Sequence, residues 1–418
     1  MNWKLSKTFY GWWIVGAAFI IGFFVAGSMF QSFTAFFEPI ADEFGWSYAE
    51  VSLGFSLRGM ALGLFAPLIG VLVDRWGPKR LIFFGAIVAA SGVLLLSKVS
   101  SLAMFYAAFL LMAVGLSSCT LTVLMTAIAN WFHAKIGLAS GIVTCGFGFG
   151  GLLIPVIVRL IDSYGWRSCL VILAVAMMAL LLPLSFVFRH KPERYGYMPD
   201  NEAFKQREVE ISLETAVSTS EKPDIKNLLT SKAFWHLAIA FTAFHVSLIS
   251  LVAHIMPYLS SINMTRGNAS IIATAMPLIS IIGSFTFGRL GDKLERKKVA
   301  AITYAMTGIG LICLALASTI SLWALAPFLL FYSIGYGGGN AMRPSLTSEV
   351  FGRESFGKVF GLMVGVNSLI SSVGPLLAGW TYDSWGSYEA IWFIYAGLAF
   401  ISVIAVLTTP AYTPKSVN

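Results

Sequence analysis

Runs of roughly 20 apolar residues, the length a helix needs to cross ~30 Å of hydrocarbon, recur along the whole chain between short polar stretches. They number about twelve: 12–34, 47–73, 80–98, 101–130, 137–161, 167–188, 233–259, 268–290, 297–317, 321–348, 355–380 and 387–409. In lipid every backbone polar group must be satisfied within its own segment, so each run is expected to be a helix. With 57% of 418 residues hydrophobic and only 11% charged, a soluble fold could not hide the apolar surface, and the class is an all-α membrane protein. The first run, with Trp12, Trp13, Phe19, Phe23 and Phe24, is too long and too aromatic for a cleaved signal segment. Cys119, Cys145, Cys169 and Cys313 all lie in apolar runs, without metal-ligand or disulfide spacing, and read as packing residues.

The charges fix an expected orientation. Lys4, Lys7, Arg75, Lys79, Arg80, Lys135, the 189–232 segment, Lys293 to Lys298, Arg353 and Lys358 fall in alternate loops. The positive-inside rule makes those loops and both termini cytoplasmic, in a multi-pass cell (inner) membrane protein. The opposite loops carry Glu38, Asp42, Glu43, Glu50, Asp162, Asp383 and Glu389 with few bases. The net charge of +8 therefore reports topology, and nucleic acid is not an expected partner. Residues 189–232 are polar, hold Pro192, Pro199 and Pro223, and read as a cytoplasmic linker between six-span halves at 1–188 and 233–418.

The halves repeat each other. Gly70 to Arg80 between spans 2 and 3, and Gly288 to Lys298 between spans 8 and 9, both fit G-x-L-x-D-[RK] followed by bases. The same offset carries Pro39 onto Pro257, and a nearly equal one carries Gly141 and Pro155 onto Gly361 and Pro375. On these motifs the chain resembles the major facilitator superfamily, over nearly its whole length. The resemblance implies the major facilitator fold, twelve helices in two six-helix repeats, and alternating access between the halves. It also implies gate roles for Asp74 and Arg75, extended by the repeat to Asp292, with Asp74 pairing to bases and the start of a neighbouring helix when the inner gate is shut.

"YGWWIV" (Tyr10 to Val15), "FFEPIADEFGW" (Phe36 to Trp46), "GLASG" (Gly137 to Gly141) and "YGWR" (Tyr164 to Arg167) resemble the monocarboxylate transporter family and its bacterial oxalate/formate antiporter relatives. "KPERYGYMPD" (Lys191 to Asp200) resembles the linker of the bacterial members. Gln31 stands where the animal carriers have a lysine, and Ser280 and Ser284 where they have an aspartate and a carboxylate-binding arginine.

No span centre contains a carboxylate, which disfavours proton coupling through a buried acid. Arg58, His245, His254 and Arg343 are the ionisable groups left at membrane depth. In span 10, Tyr332, Tyr336, Asn340 and Arg343 follow at intervals of four, four and three and share a helical face. A polar stripe on an apolar span lines a cavity or a seam, and by resemblance span 10 is a cavity helix. Arg343 is ~9 Å along the helix from Glu349, so a gate ion pair, a snorkelling side chain and substrate binding all stay open for it. His245 and His254 lie on opposite faces of a straight span 7. His254, beside Ser247 and Ser250, is the better proton-coupling and binding candidate. Ser28 and Gln31, Ser118, Thr122 and Thr126, and Asn367 and Ser371 form softer stripes, of the kind that also joins membrane helices.

Arg58 interrupts span 2 within "GFSLRGMALG" and costs a few kcal/mol to insert unless partnered. Two partners are open: a substrate anion gripped by the guanidinium fork, or Glu38, Asp42 and Glu43 reached by snorkelling outward. The expected function is a secondary active or facilitative transporter of a small organic anion, a monocarboxylate or related carboxylate, with proton coupling left open. The alternative is a carrier or exporter of neutral or amphipathic small molecules. Expected binding residues are Arg58, Gln31, Tyr332, Tyr336, Asn340, His254 and Asn367. No cofactor, metal or enzymatic constellation is expected, and the protein should be a monomer in contact with membrane lipid.

Overall fold

The structure is a computed structural model that describes residues 9–132, 135–190, 192–195 and 231–410. Ten helical stretches are long and apolar enough to cross a membrane. Ile136–Ser185 is divided by Gly165, at φ 79°, and Leu325–Ser371 by Gly352, at φ 78°. Both glycines adopt a backbone region closed to other residues, which turns the chain sharply from one helix into the next.

The helices are then α1 (Gly11–Phe44), α2 (Tyr48–Trp76), α3 (Pro78–Ser97), α4 (Leu102–Trp131), α5 (136–164), α6 (166–185), α7 (Lys232–Ser261), α8 (Arg266–Lys293), α9 (Arg296–Leu316), α10 (325–351), α11 (353–385) and α12 (Glu389–Leu407). Twelve crossings bring the start of α1 and the end of α12 to one end of the bundle, here the terminal end. The other is the distal end. Residues 191 and 196–230 of the proposed linker lie outside the described residues, as do Lys4 and Lys7.

α1 differs from expectation in length, running through Pro39 to Phe44. A proline deprives the carbonyl four residues earlier of its donor. That carbonyl, of Ala35, accepts instead from Arg266 Nη2 of α8 at 3.0 Å. Pro155 of α5 similarly frees Gly151 O, which accepts from the Thr274 hydroxyl of α8 at 3.1 Å. Both freed carbonyls therefore join the first six helices to the last six.

The contacts between these two groups gather toward the distal end. Asp383 at the end of α11 accepts from Tyr48 N at 2.9 Å and Ala49 N at 2.7 Å, capping the start of α2 with a carboxylate that suits its positive dipole end. Arg266 pairs with Asp162 at 3.2 Å and Glu38 at 3.8 Å. Tyr48 stacks on Tyr382 at 4.4 Å, and Tyr382 on Tyr388 at 4.6 Å. One apolar core runs continuously through α1–α6 and the distal portions of α7–α12. A second core, with Phe234, Phe241, Phe244, Tyr304 and Met342, belongs to the terminal side of the last six helices alone. The bundle is thus closed at the distal end. At the terminal end Asp74 and Arg75 are exposed and, among the described residues, unpaired, and side chains added at Gly141 or Gly361 would meet nothing within 4 Å.

Candidate functional site

Arg58 is buried, and among the described residues no acid of the protein pairs with it. Nη1 donates to Met29 O at 2.5 Å, in the π-helical segment Ala26–Gln31 of α1. Its guanidinium carbon lies 4.9, 5.3 and 5.7 Å from the ring centres of Phe30, Phe55 and Phe33. Snorkelling to Glu38 or Glu43 is corrected by the structure: Glu38 faces Arg266, and Glu43 takes Arg167 at 2.7 Å and the Trp166 indole at 2.7 Å. Nε and Nη2 of Arg58 make no hydrogen bond among the described residues.

Gln31, also in the π-helical segment, donates from Nε2 to Phe147 O at 2.9 Å, and its buried Oε1 has no partner among the described residues. Wider π turns inside helices recur at functional positions, and here one supplies both Met29 O and Gln31. Asn367 of α11 is buried and accepts from the Ser371 hydroxyl at 2.8 Å.

On α10, Tyr332 and Tyr336 are parallel, 6.2 Å apart, and Phe244 of α7 continues the row 5.8 Å from Tyr336. Arg343 is buried and neither snorkels nor pairs with Glu349, which takes Arg296 at 3.5 Å. Arg343 Nη1 reaches Asn340 Oδ1 at 3.4 Å, its guanidinium carbon lies 5.3 Å from the Phe241 ring centre, and its buried Nε has no partner.

The histidines part company, as the helical period implies. His254 is fully enclosed beneath the distal closure: Nε2 lies 2.9 Å from Pro375 O and 3.0 Å from Ser52 Oγ, and Nδ1 lies 3.0 Å from the Tyr388 hydroxyl. A carbonyl only accepts, so the neutral ring carries its proton on Nε2 and receives the Tyr388 O–H at Nδ1. Every ring nitrogen is engaged, and in this state His254 has nothing to offer a substrate. It ties α7 to α2 instead. His245 is half-buried with a partnerless Nδ1.

Sequence reasoning missed the aromatic box of Arg58, the Asp383 cap, Tyr388 and Tyr304. Only Asp383 had a signal, an acid in a short loop, and it read as topology. Ser284 of α8, at the place where the resemblance sets a carboxylate-binding arginine, donates to Gly337 O at 3.0 Å, and Gly337 and Ser280 meet backbone to backbone, so α8 and α10 form a tight seam.

Two helical bundles closed on each other at one end, with buried cations at membrane depth that no acid pairs with among the described residues, have the form of a membrane carrier. A family model described as Major Facilitator Superfamily matches residues 18–267 and 246–418, and the chain belongs to that superfamily. It is 26% identical to monocarboxylate transporter 12 of Mus musculus, covering 94% of this chain and 83% of that one. It is 25% identical to the oxalate:formate antiporter of Oxalobacter formigenes, covering 94% and 89%. Its fold is like that of a D-xylose-proton symporter, with a TM-score of 0.73 at 16% identity, over 98% of this chain and 100% of that one.

Proposed function

We propose that the protein carries a small organic anion, a monocarboxylate or related carboxylate, across the cell membrane by alternating access. One observation supports this above the rest: Arg58 and Arg343 are buried at membrane depth, and neither has a carboxylate partner among the described residues. A membrane interior with unpaired cations attracts anions and repels cations. The similarity to a monocarboxylate transporter and an oxalate:formate antiporter supports the same reading. With both termini cytoplasmic, the state described is open to the cytosol and shut outside, and Asp74, Arg75 and Asp292 belong to the gate that closes in the opposite state. Gln31, Tyr332, Tyr336, Asn340 and Asn367 complete the binding surface.

The test is uptake of labelled formate, lactate and oxalate into proteoliposomes, with and without a pH gradient. At least one carboxylate should be taken up saturably. Arg58→Lys, which keeps the charge and loses the planar fork, should raise its KM about tenfold. If no carboxylate enters, the anion reading fails. Stimulation by an inward proton gradient would make the carrier a symporter, with His254 and His245 the side chains able to hold the proton. The second reading, a neutral or amphipathic cargo, is favoured by the uncharged, hydrogen-bonded Ser284 in the seam of α8 and α10, and it predicts uptake that carboxylates do not inhibit.

A further inference from the structure

The last six helices contain a group of buried polar atoms that no protein group satisfies. Arg343 Nε, the Tyr304 hydroxyl, His245 Nδ1 and the Thr242 hydroxyl are all sealed and without a partner among the described residues. They come from α7, α9 and α10, and Arg343 is close enough to act electrostatically on His245, Tyr304 and Tyr336. Phe244 holds Tyr304 in place at 4.7 Å between ring centres, and a side chain at Gly339 would strike both rings, so the group is built on a tight helix contact. A native interior leaves few such atoms unpaired, and several around one cation mark a place for a ligand.

The geometry points to an anion-binding site that takes one carboxylate group, formed by Arg343, Tyr304 and His245, with Thr242 one helical turn from His245 on α7. Resting on the anion reading above, it assigns the grip in this state to the last six helices. All four groups can donate hydrogen bonds, and one is a fixed cation. Arg58 differs, because Met29 O and three rings already hold it. Arg343 lies about 12 Å from the terminal end of α10, counting 1.5 Å per residue, within reach of the open side. Half-buried Tyr336 and Asn340 precede Arg343 on the same face of α10.

The experiment is binding of formate, lactate and oxalate to the purified full-length protein in detergent, read by equilibrium dialysis of the labelled anion and by ligand-induced thermal stabilisation. The wild type should bind at least one of the three and be stabilised by it. Arg343→Gln should weaken that binding by about 100-fold and abolish the thermal response. Tyr304→Phe, which removes one hydroxyl and no volume, should weaken it about tenfold and keeps the test sound if Arg343→Gln misfolds. If both variants bind as the wild type does while Arg58→Gln does not, the carrier function stands and this site falls, its polar atoms holding water only. If the wild type binds none of the anions, the anion reading and this site fall together.

Discussion

Two arginines at membrane depth, neither with an acid partner among the described residues, differ in how well the protein satisfies them. Insertion of an arginine at a span centre costs about 2.5–3.5 kcal/mol. A hydrogen bond from a charged group returns about 1.5–3 kcal/mol and each ring about 0.5–1 kcal/mol. Arg58, with a 2.5 Å bond to Met29 O and three rings, is close to balanced. Arg343, with one 3.4 Å contact, one ring and an orphaned Nε, is not. A residue kept in debt by the fold is one whose replacement should relieve it. Arg343→Met, similar in length and apolar, is therefore expected to raise the melting temperature of the ligand-free protein in detergent by a few degrees while removing its response to anion. A melting temperature several degrees lower would mean that Arg343 is a structural support. None of this contrast was legible in the sequence: Arg58 and Arg343 were both visible as buried cations, but Phe30, Phe33 and Phe55 are brought to Arg58 by two helices. The choice of Arg296 over Arg343 by Glu349 also depends on how α9 meets α10.

The elements show the same limit and one device that symmetry explains. The apolar runs foretold each of the twelve long helices, and the break between the runs 137–161 and 167–188 contains the turn at Gly165. The extension of α1 past Pro39 was not foreseen, because the donor that rescues Ala35 O is Arg266, from the other half of the chain. By resemblance, Asp74 at the end of α2 is expected to cap a neighbouring helix when the terminal end shuts. The structure shows that act at the distal end, where Asp383 at the end of α11 caps the start of α2. The two carboxylates stand at opposite ends of a paired α2 and α11, one engaged and the other exposed, as a rocking pair requires. Asp383→Ala removes a solvent-exposed helix cap worth about 0.5–2 kcal/mol and should open the distal gate. In a background without native cysteines, a cysteine replacing buried Ser372 should then react at least about tenfold faster with an impermeant thiol reagent applied from the distal side. Asp74→Ala should not speed that reaction, and equal rates for Asp383→Ala and its parent would remove the cap from the gating scheme.

At the scale of the molecule, alternating access requires the distal seam to part in every cycle. That seam is close along α2 and α11. A Cβ placed on Gly59 would lie 3.4 Å from Ser372 Cβ and 2.5 Å from its hydroxyl, and one on Gly63 would lie 2.8 Å from Ser368 Cβ. Disulfides join Cβ atoms about 3.5–4.5 Å apart, so the first pair is within a small adjustment of bonding geometry. Both positions are half-buried or buried in the closed state and belong to different six-helix groups, and a bond between them would tie the groups together without touching Arg58 Nη2 or the Arg343 cluster. Gly59→Cys combined with Ser372→Cys, with the four native cysteines replaced, is expected to oxidise readily and to hold the carrier in the state described. Uptake should then fall to background and recover on reduction, while anion binding to the oxidised protein persists. A cross-linked carrier that transports at the rate of its reduced form would show that cargo crosses without parting this seam, and a rocking-bundle mechanism for this chain would have to be abandoned.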